Sequence, residues 1–296
     1  MAAKPAARHI EPMPGPDAGA ATPGTSYREF RPAPALAPHV LCLWSQVTGD
    51  GGRAHQQRVL PDGCADIVWI GAAAPVVAGP ATRTVIAELP TRSIVIGVRF
   101  HPGAAPCLLD PPASELLDRE TPLREIWGPS ADELWQRIGA TPNVAGKLAV
   151  AEAALAARAA AARPCDPLVA AAVRWLARHP GGRVERLGAL LGIGDRQLRR
   201  RFRTSVGYGP KNLQRVLRLQ RLLALAGRGP ERLPLAALAA EAGYADQAHM
   251  TRELGELAGR VPSALLRDPR STLEMSDLFK TTPDAAPTLP RIKRSI

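Results

Sequence analysis

The sequence lacks the features that define membrane, secreted and zinc-binding chains. No apolar run reaches the roughly 20 residues of a membrane-spanning helix, and the first 24 residues lack the apolar core of a secretory signal. The cysteines are Cys42, Cys64, Cys107 and Cys165, and no two of them form a Cys-x-x-Cys pair. Their spacing indicates neither a disulfide framework nor a zinc knuckle, so we expect mainly small buried side chains. These absences predict a cytoplasmic protein without a membrane partner.

Aromatic residues are also scarce, at 4% of the chain, whereas basic residues exceed acidic ones and give a formal charge of +11. The excess is uneven. Residues 27–128 hold nine Arg or Lys against ten Asp or Glu, a net charge of −1, while residues 165–268 hold eighteen against nine, a net charge of +9. A positive excess confined to one segment is typical of a nucleic-acid-binding domain.

Changes in composition and periodicity divide the chain into five segments and predict an α+β protein. Residues 1–26 and 269–296 are poor in apolar periodicity and are predicted to be disordered. Residues 27–128 are predicted to form a compact antiparallel β-rich domain, cupin-like or a small barrel, because strand-sized apolar runs alternate with Gly and Pro. Residues 129–164 are predicted to be a helical connector and residues 165–268 an all-α domain.

Five runs are the candidate strands: HVLCLWSQV, ADIVWIG, APVVAG, RTVIAEL and RSIVIGVRF. In the predicted connector, Ser130 and Glu133 have the spacing of a capping box at the start of a helix. The Ala-rich stretch NVAGKLAVAEAALAARAAAAR favours a helix that ends at Pro164, either as a stiff connector or as a dimer-forming helix.

The basic segment contains an internal repeat. VERLGALLGIGDRQLRRRF and LAALAAEAGYADQAHMTREL align so that Gly188 matches Ala239 and Gly192 matches Gly243. A small residue allows two helices to approach closely, and a glycine four residues later adopts the positive φ that ends the first helix. Each copy is therefore predicted to be a helix-turn-helix.

The second helix of the first copy has one apolar and one basic side. At about 100° per residue, Leu198 and Phe202 lie on one side, whereas Arg196, Arg199, Arg200 and Arg203 cluster opposite and Arg201 lies on a flank. Four guanidinium groups facing the same way repel one another, and an anionic partner relieves that repulsion. Duplex DNA is such a partner, because arginine binds phosphates and guanine edges in the major groove. A solvated basic helix is the alternative, which the repeat disfavours.

Between the copies, GPKNLQRVLRLQRLLALAG predicts a helix that begins with a proline and ends before Gly227. Its length of about 24 Å suits a linker that holds two recognition helices near the ~34 Å repeat of successive major grooves. Lys211 and Arg215, on the polar side of this helix, are predicted to contact phosphates.

Residues 165–267 resemble the DNA-binding domain of the AraC/XylS family of bacterial transcription regulators. The resemblance is carried by the two repeats, by the linker RVLRLQRLLALA and by GRVPSALLR, where Gly259, Pro262 and Arg267 match the closing pattern of the family. It implies base contacts from Arg196, Arg199 and Arg200 in the first motif. In the second motif it implies base contacts from Gln247, His249, Thr251 and Arg252.

The chain departs from the family at four positions. Met250 and Leu254 replace residues that are usually aromatic, Arg201 replaces an apolar residue, and Gly188 replaces alanine. Residues 27–128, with LPDGCADIVW and GVRFHPGAA, resemble the small β-rich N-terminal domain of one uncharacterised subgroup, and the resemblance implies that they form a sensing domain.

The N-terminal domain carries candidates for a ligand site. Trp44, Trp69 and Phe100 either line an effector pocket or fill the β core. His55, Cys64, Asp66 and His101 are able to bind metal, but their spacing matches no ligand signature, so no metal or other cofactor is predicted. Cys64 is either a reactive or a buried thiol, and the buried thiol is favoured.

Together these features predict a sequence-specific transcription regulator, activator or repressor, that binds double-stranded DNA and is modulated by a small-molecule effector. RNA polymerase and a second copy of the chain are the further partners considered. No enzymatic activity is predicted. The alternatives are a metal- or thiol-dependent β-barrel enzyme, for example in DNA repair, fused to a DNA-binding domain, and a nonspecific DNA-packaging protein.

Overall fold

The computed structural model describes residues 25–50, 54–227 and 233–267. The predicted disordered tails lie outside these residues, except that the first strand already begins at Ser26. Within the described residues no helix is both long and apolar enough to cross a membrane. The architecture is α+β, as predicted, with an N-terminal β-rich part and a C-terminal helical part.

The N-terminal part contains two antiparallel sheets. Their strands are β1 (Ser26–Phe30), β2 (Val40–Val47), β3 (His55–Val59), β4 (Asp66–Ile70), β5 (Val76–Ala78), β6 (Val85–Leu89), β7 (Ile94–Phe100) and β8 (Glu120–Pro122). The larger sheet has six strands in the order β1-β2-β7-β4-β5-β8, and β3 pairs with β6 in a separate ribbon. The five predicted runs correspond to β2, β4, β5, β6 and β7, whereas β1, β3 and β8 were not predicted.

The two faces of the six-stranded sheet have different surroundings because side chains alternate along each strand. On β4, Ile67 and Trp69 join the main apolar core. The intervening Asp66, Val68 and Ile70 face a cavity that is closed on its other side by the β3–β6 ribbon. Beside it the Trp44 ring lies across Gly97, where an added Cβ would come within 2.2 Å of the ring, so only glycine fits there.

Five helices cover the core face of the sheet: α1 (Ala105–Leu109), α2 (Ala113–Leu116), α3 (Leu123–Trp127), α4 (Pro129–Gly139) and α5 (Val144–Ala160). Leu134, Leu148 and Leu155 are buried in the same core as the strands. The predicted connector is therefore packed on the sheet and does not stand apart. The predicted capping box is wrong: α4 begins after Gly128 without a side-chain cap, and the Ser130 hydroxyl donates to the Trp127 carbonyl oxygen.

The C-terminal part is a helical domain with one apolar core. The first helix-turn-helix comprises a 3-10 turn (Val184–Arg186), α7 (Leu187–Leu191) and α8 (Asp195–Val206), and the second comprises α10 (Leu235–Ala242) and α11 (Gln247–Ala258). The predicted linker is α9 (Pro210–Ala226), whose 17 residues span about 25 Å. α6 (Pro167–Arg178) precedes the first motif, and α12 (Pro262–Leu265) follows Gly259, whose positive φ ends α11.

The two parts share an extensive interface. Leu60, in the loop before β4, is buried in the core of the helical domain. The Gln220 amide on α9 donates to the Pro61 carbonyl oxygen over 2.7 Å. At a second point, the backbone N–H and the hydroxyl of Thr84 both donate to the carbonyl oxygen of Leu257 on α11. The loops at the rim of the β-domain cavity thus contact the linker helix and the second motif directly.

Candidate DNA interface and ligand cavity

The turn of the first motif has the geometry that the repeat predicts. Gly192 has φ 66° and ends α7 in the left-handed conformation. The Ile193 N–H donates to the Gly188 carbonyl oxygen over 2.9 Å, and a Cβ at Gly188 would come within 2.8 Å of the Ile193 carbonyl oxygen. The close approach of the turn between α7 and α8 explains the small residue at this position, since even the Cβ of alanine would crowd the turn.

α8 presents one face to the core and the opposite face to solvent. Leu198, Phe202 and Val206 are buried. Four arginines of the same helix are exposed, and in the described residues none of them has an ion-pair partner: Arg196, Arg199, Arg200 and Arg203. Their charge is therefore available to an external anion.

Arg201 has a different role from the other arginines of α8. Its Nη1 donates to Oδ2 of Asp166 over 2.6 Å, and Oδ1 of the same carboxylate accepts the first N–H groups of α6. The ion pair joins the first recognition helix to the start of the domain. The charge of Arg201 is thereby neutralised within the fold.

The second motif repeats the arrangement with fewer charges. Gly243 has φ 91° and ends α10, and the Asp246 carboxylate caps α11 by accepting the His249 N–H over 2.7 Å. Met250 and Leu254 are fully buried, so they fill core positions of the second motif. Gln247 and Arg252 are exposed.

A buried ion cluster attaches α11 to the linker helix. Glu253 lies at its centre: it accepts from Nε and Nη2 of Arg218, over 3.2 and 2.6 Å, and lies 3.2 Å from Nε of Arg215. His249 Nε2 is also 3.2 Å from Glu253. Arg215 pairs in addition with Glu256. Arg215, which the sequence predicts to contact phosphate, is thus held between the carboxylates of Glu253 and Glu256. This pairing argues against a phosphate contact.

The other candidates of the second half differ in how accessible they are. Lys211 is exposed in the first turn of α9 and lines a groove beside α8 together with Arg199, Glu185 and Asp195. His249 is half-buried and its Nδ1 accepts the Ala245 N–H. The Thr251 hydroxyl donates to the Gln247 carbonyl oxygen. Lys211, Gln247 and Arg252 are therefore the more accessible members of this set.

The β domain contains a cavity of about 350 Å³ between the six-stranded sheet and the β3–β6 ribbon. Most of its wall is apolar, with side chains from the inward-facing positions of β4, β6 and β7. The apolar lining includes Val59, Leu60, Val68, Ile70, Val76, Val85, Ala87, Leu89 and Val95. A volume of this size is at the lower end of the range typical of small-molecule sites.

One wall carries a buried polar group centred on Arg99. Its Nε and Nη2 donate to Asp66 over 3.1 Å, its Nε lies 3.5 Å from Asp62, and its Nη1 is buried without a hydrogen-bond partner in the described residues. Trp44 Nε1 donates to the same Asp66 carboxylate. Burial acts to lower the pKa of Arg99, but Asp66 and Asp62 raise it well above its usual value, so the guanidinium stays charged.

The three predicted effector residues are separated by the sheet. Trp44 lines the cavity, with its indole N–H bonded to Asp66. Trp69 and Phe100 lie on the opposite face in the apolar core. Two of the three residues therefore fill the β core, and one lines the cavity. The side chains that sequence reasoning missed are Arg99, Tyr27 and Gln57, and a charged residue within the apolar run RSIVIGVRF was the available signal for the first.

The candidate metal ligands do not converge. In the described part of the chain, the side chains that form a metal-sized cluster are His39, Cys107 and Cys165, and His55, Cys64, Asp66 and His101 form no such group. Burial, with a contribution from Asp62, raises the pKa of Cys64 well above its usual value, which disfavours a reactive thiolate. The expectation of small buried cysteines is wrong for Cys107 and Cys165, which form a disulfide after the fold brings distant segments together.

Comparisons with known proteins give matches over two segments. Residues 187–268 match the family described as a helix-turn-helix domain, and residues 28–122 match a domain of unknown function, DUF6597. A search of curated protein sequences finds no match.

Solved structures with a similar arrangement include ToxT from Vibrio cholerae O395, with a TM-score of 0.41 at 10% identity over 83% of this chain and 98% of that one. A structure of wild-type ToxT from Vibrio cholerae with a bound unsaturated fatty acid has a TM-score of 0.37 at 13% identity, over 76% of this chain and 93% of that one. The helix-turn-helix match covers α7 and α8 of the first motif, the linker helix and the second motif. The chain is therefore a DNA-binding transcriptional regulator that carries a helix-turn-helix domain, with a segment matching DUF6597 ahead of it.

Proposed function

We propose that this chain is a one-component regulator of the cytoplasm that reads DNA through α8 and α11 and binds a small molecule in the cavity of its β domain. The observation that carries the proposal is the exposed, unpaired arginine face of α8 above a fully buried apolar face. The proposal includes no enzymatic step.

Arg196, Arg199 and Arg200 are the proposed base contacts of the first motif. Their side chains are exposed on one side of a helix whose opposite side is fixed by Leu198 and Phe202, so the helix enters a major groove with its arginines first. Arg203, one turn later on the same face, and Lys211, at the start of α9, are the proposed phosphate contacts. Gln247 and Arg252 are the most accessible candidates of the second motif, with His249 and Thr251 beside them.

The DNA-binding proposal is tested on an operator selected from a random pool. Arg200→Ala is expected to weaken binding about 5- to 150-fold and to relax preference at one base pair, because a bidentate guanine contact contributes about 1–3 kcal/mol. Arg137→Ala, which removes an exposed charge from α4 in the β domain, is the matched control and should leave affinity unchanged. Equal losses on selected and scrambled DNA would show that Arg200 contacts phosphate only.

The cavity lining defines the class of ligand that we propose. An apolar body fits the valine and leucine walls, and an oxygen that accepts a hydrogen bond would face Arg99 at one end of the cavity. A second carboxylate is disfavoured because Asp62 and Asp66 already face this guanidinium. The proposed effector is therefore a small, mainly apolar, neutral molecule with one hydrogen-bond acceptor.

The same arginine gives the ligand a route to the DNA-binding domain. Arg99 contacts Asp62, whose carboxylate accepts the Cys64 N–H and so shapes the loop from Pro61 to Cys64. The carbonyl oxygen of Pro61 accepts from Gln220 on α9, the helix that spaces the two motifs. A ligand that repositions Arg99 thus acts on α9 through one loop, and its differential affinity for two loop positions sets the size of the effect.

Neighbouring positions on β6 provide the test of the cavity. Ala87 lines the cavity and Ile86, the next residue, is exposed. After incubation of the protein with a metabolite extract, native mass spectrometry should detect a bound small molecule in wild type and in Ile86→Trp but not in Ala87→Trp, whose indole fills the cavity. The same bound mass in Ala87→Trp would place the ligand elsewhere.

A further inference from the structure

Two distant cysteines meet where the β domain contacts the first helix of the DNA-binding domain. Cys107 lies in α1 and Cys165 in the segment before α6, 58 residues later. Their sulfurs are bonded, with Cα atoms 5.6 Å apart, and Nδ1 of His39 lies 3.3 Å from Sγ of Cys165. Both cysteines are half-buried, so small reagents have access to them.

The position of Cys165 links this pair to the DNA interface. The next residue is Asp166, which caps α6 and forms the 2.6 Å ion pair with Arg201 on the first recognition helix. On the other side, Gly103 precedes α1 and packs against Val169 and Val206, residues of α6 and α8. A covalent bond at this point therefore holds the start of α6 against the β domain. Through the ion pair between Asp166 and Arg201, it also holds the buried side of α8 there.

We propose that Cys107 and Cys165 are a reversible dithiol–disulfide site that, when oxidised, fastens the DNA-binding domain to the β domain. In an intracellular regulator a disulfide is more often redox-sensing than structural, and a bond across a domain boundary is placed to change how the domains move. The site is independent of whatever molecule occupies the cavity.

The chemistry is a thiol–disulfide exchange with a small-molecule disulfide such as oxidised glutathione. The Cys165 thiol gives its proton to Nδ1 of His39, and the thiolate attacks one sulfur of the small disulfide, forming a mixed disulfide and releasing one thiolate. The Cys107 thiolate then attacks the sulfur of Cys165 and displaces the second small thiolate. The two small thiolates take up the two protons lost by the cysteines, so the small disulfide is reduced to two thiols while the protein dithiol is oxidised.

His39 is suited to accept that proton. Its Nδ1 lies 3.3 Å from Sγ of Cys165, so an acceptor for the thiol proton is already in place in the folded chain. We therefore expect His39→Gln to slow disulfide formation several-fold at pH 7 without changing its end point. An unchanged rate would overturn the role of His39.

The bond is tested on the full chain, reduced and then equilibrated with mixtures of reduced and oxidised glutathione. After the exchange is quenched with acid and the chain is unfolded in denaturant, thiol titration should fall from four groups per chain to two, and peptide mapping should find Cys107 joined to Cys165. In Cys107→Ser, glutathione should remain attached to Cys165, because the second exchange cannot occur. A matched variant, Cys42→Ser with Cys64→Ser, should oxidise as wild type does.

Two outcomes would overturn the proposal. One is four titratable thiols at every glutathione ratio. The other is a reduced protein that binds one equivalent of Zn²⁺ through these residues and is then not oxidised, which would make the trio a metal site. The fastening is tested by hydrogen exchange: oxidation should slow exchange of the first amides of α6 roughly tenfold in wild type and not in Cys107→Ser. Equal exchange rates in the oxidised and reduced protein would show that the disulfide does not hold the DNA-binding domain against the β domain.

Discussion

Removal of the Glu253 carboxylate is expected to destabilise the second helix-turn-helix strongly. The side chain of Glu253 is only 10% exposed, and that of Arg218, which it accepts from twice, is 9% exposed. Glu253→Ala leaves this guanidinium buried without a counterion, which typically costs about 3–5 kcal/mol. The expected result is a loss of that size in the free energy of unfolding, measured by urea titration with circular dichroism.

Glu256→Ala is the matched control on the same helix. Its carboxylate also pairs with Arg215, but its side chain is 66% exposed, so its loss should cost at most about 1 kcal/mol. Replacing the buried pair together, with Arg218→Met and Glu253→Leu, should recover most of the loss, because the desolvation cost disappears with both charges. Similar stabilities for Glu253→Ala and Glu256→Ala would refute the argument that burial determines the strength of this cluster.

Three further predictions follow from other parts of the fold. Lys211→Ala should reduce the slope of log affinity against log salt by about 0.9, whereas Arg215→Ala should leave the slope unchanged and lower stability instead; equal slopes for Lys211→Ala and wild type would exclude the phosphate contact. Under oxidising conditions Cys165→Ser should lose about 4 kcal/mol of stability, because the bond closes a loop of 58 residues in the unfolded chain, and the loss should vanish under reducing conditions. Burial, reinforced by the nearby His39, lowers the pKa of His101, although its hydrogen bond to the Ala37 carbonyl oxygen acts in the opposite direction. The unfolded state therefore takes up protons first as pH falls below 6.5, so the free energy of unfolding should be highest above that pH and fall below it. In unfolding experiments at several pH values, His101→Gln should flatten this dependence.

The helical domain was largely predictable because its signals are local. A glycine that ends a helix, a small residue before it and an apolar i, i+4 pair all act within one or two turns. Gly192 and Gly243 adopt positive φ values, and the linker occupies the residues that its proline and glycine bracket. The exposed side of α8 follows in the same way, because helical periodicity alone separates Arg199 and Arg200 from Phe202.

The partners of individual charges were not predictable, because they depend on segments far apart in the chain. Arg201 and Arg215 resemble their neighbours in sequence, yet they pair with Asp166 and Glu253, 35 and 38 residues away. Likewise, the sequence predicts helices in residues 129–164, but nothing local indicates that they pack on the sheet of the preceding domain.

By itself, then, the sequence determined five of the eight strands in the described residues, the two helix-turn-helix motifs with their linker, and the basic face of the first recognition helix, since the signal for each lies within a short stretch of chain. Only the tertiary structure decided which charges remain available to DNA, which side chains surround the cavity, and that Cys107 meets Cys165. These depend on how whole elements pack, because burial and long-range pairing are properties of the assembled core and not of any short stretch of chain.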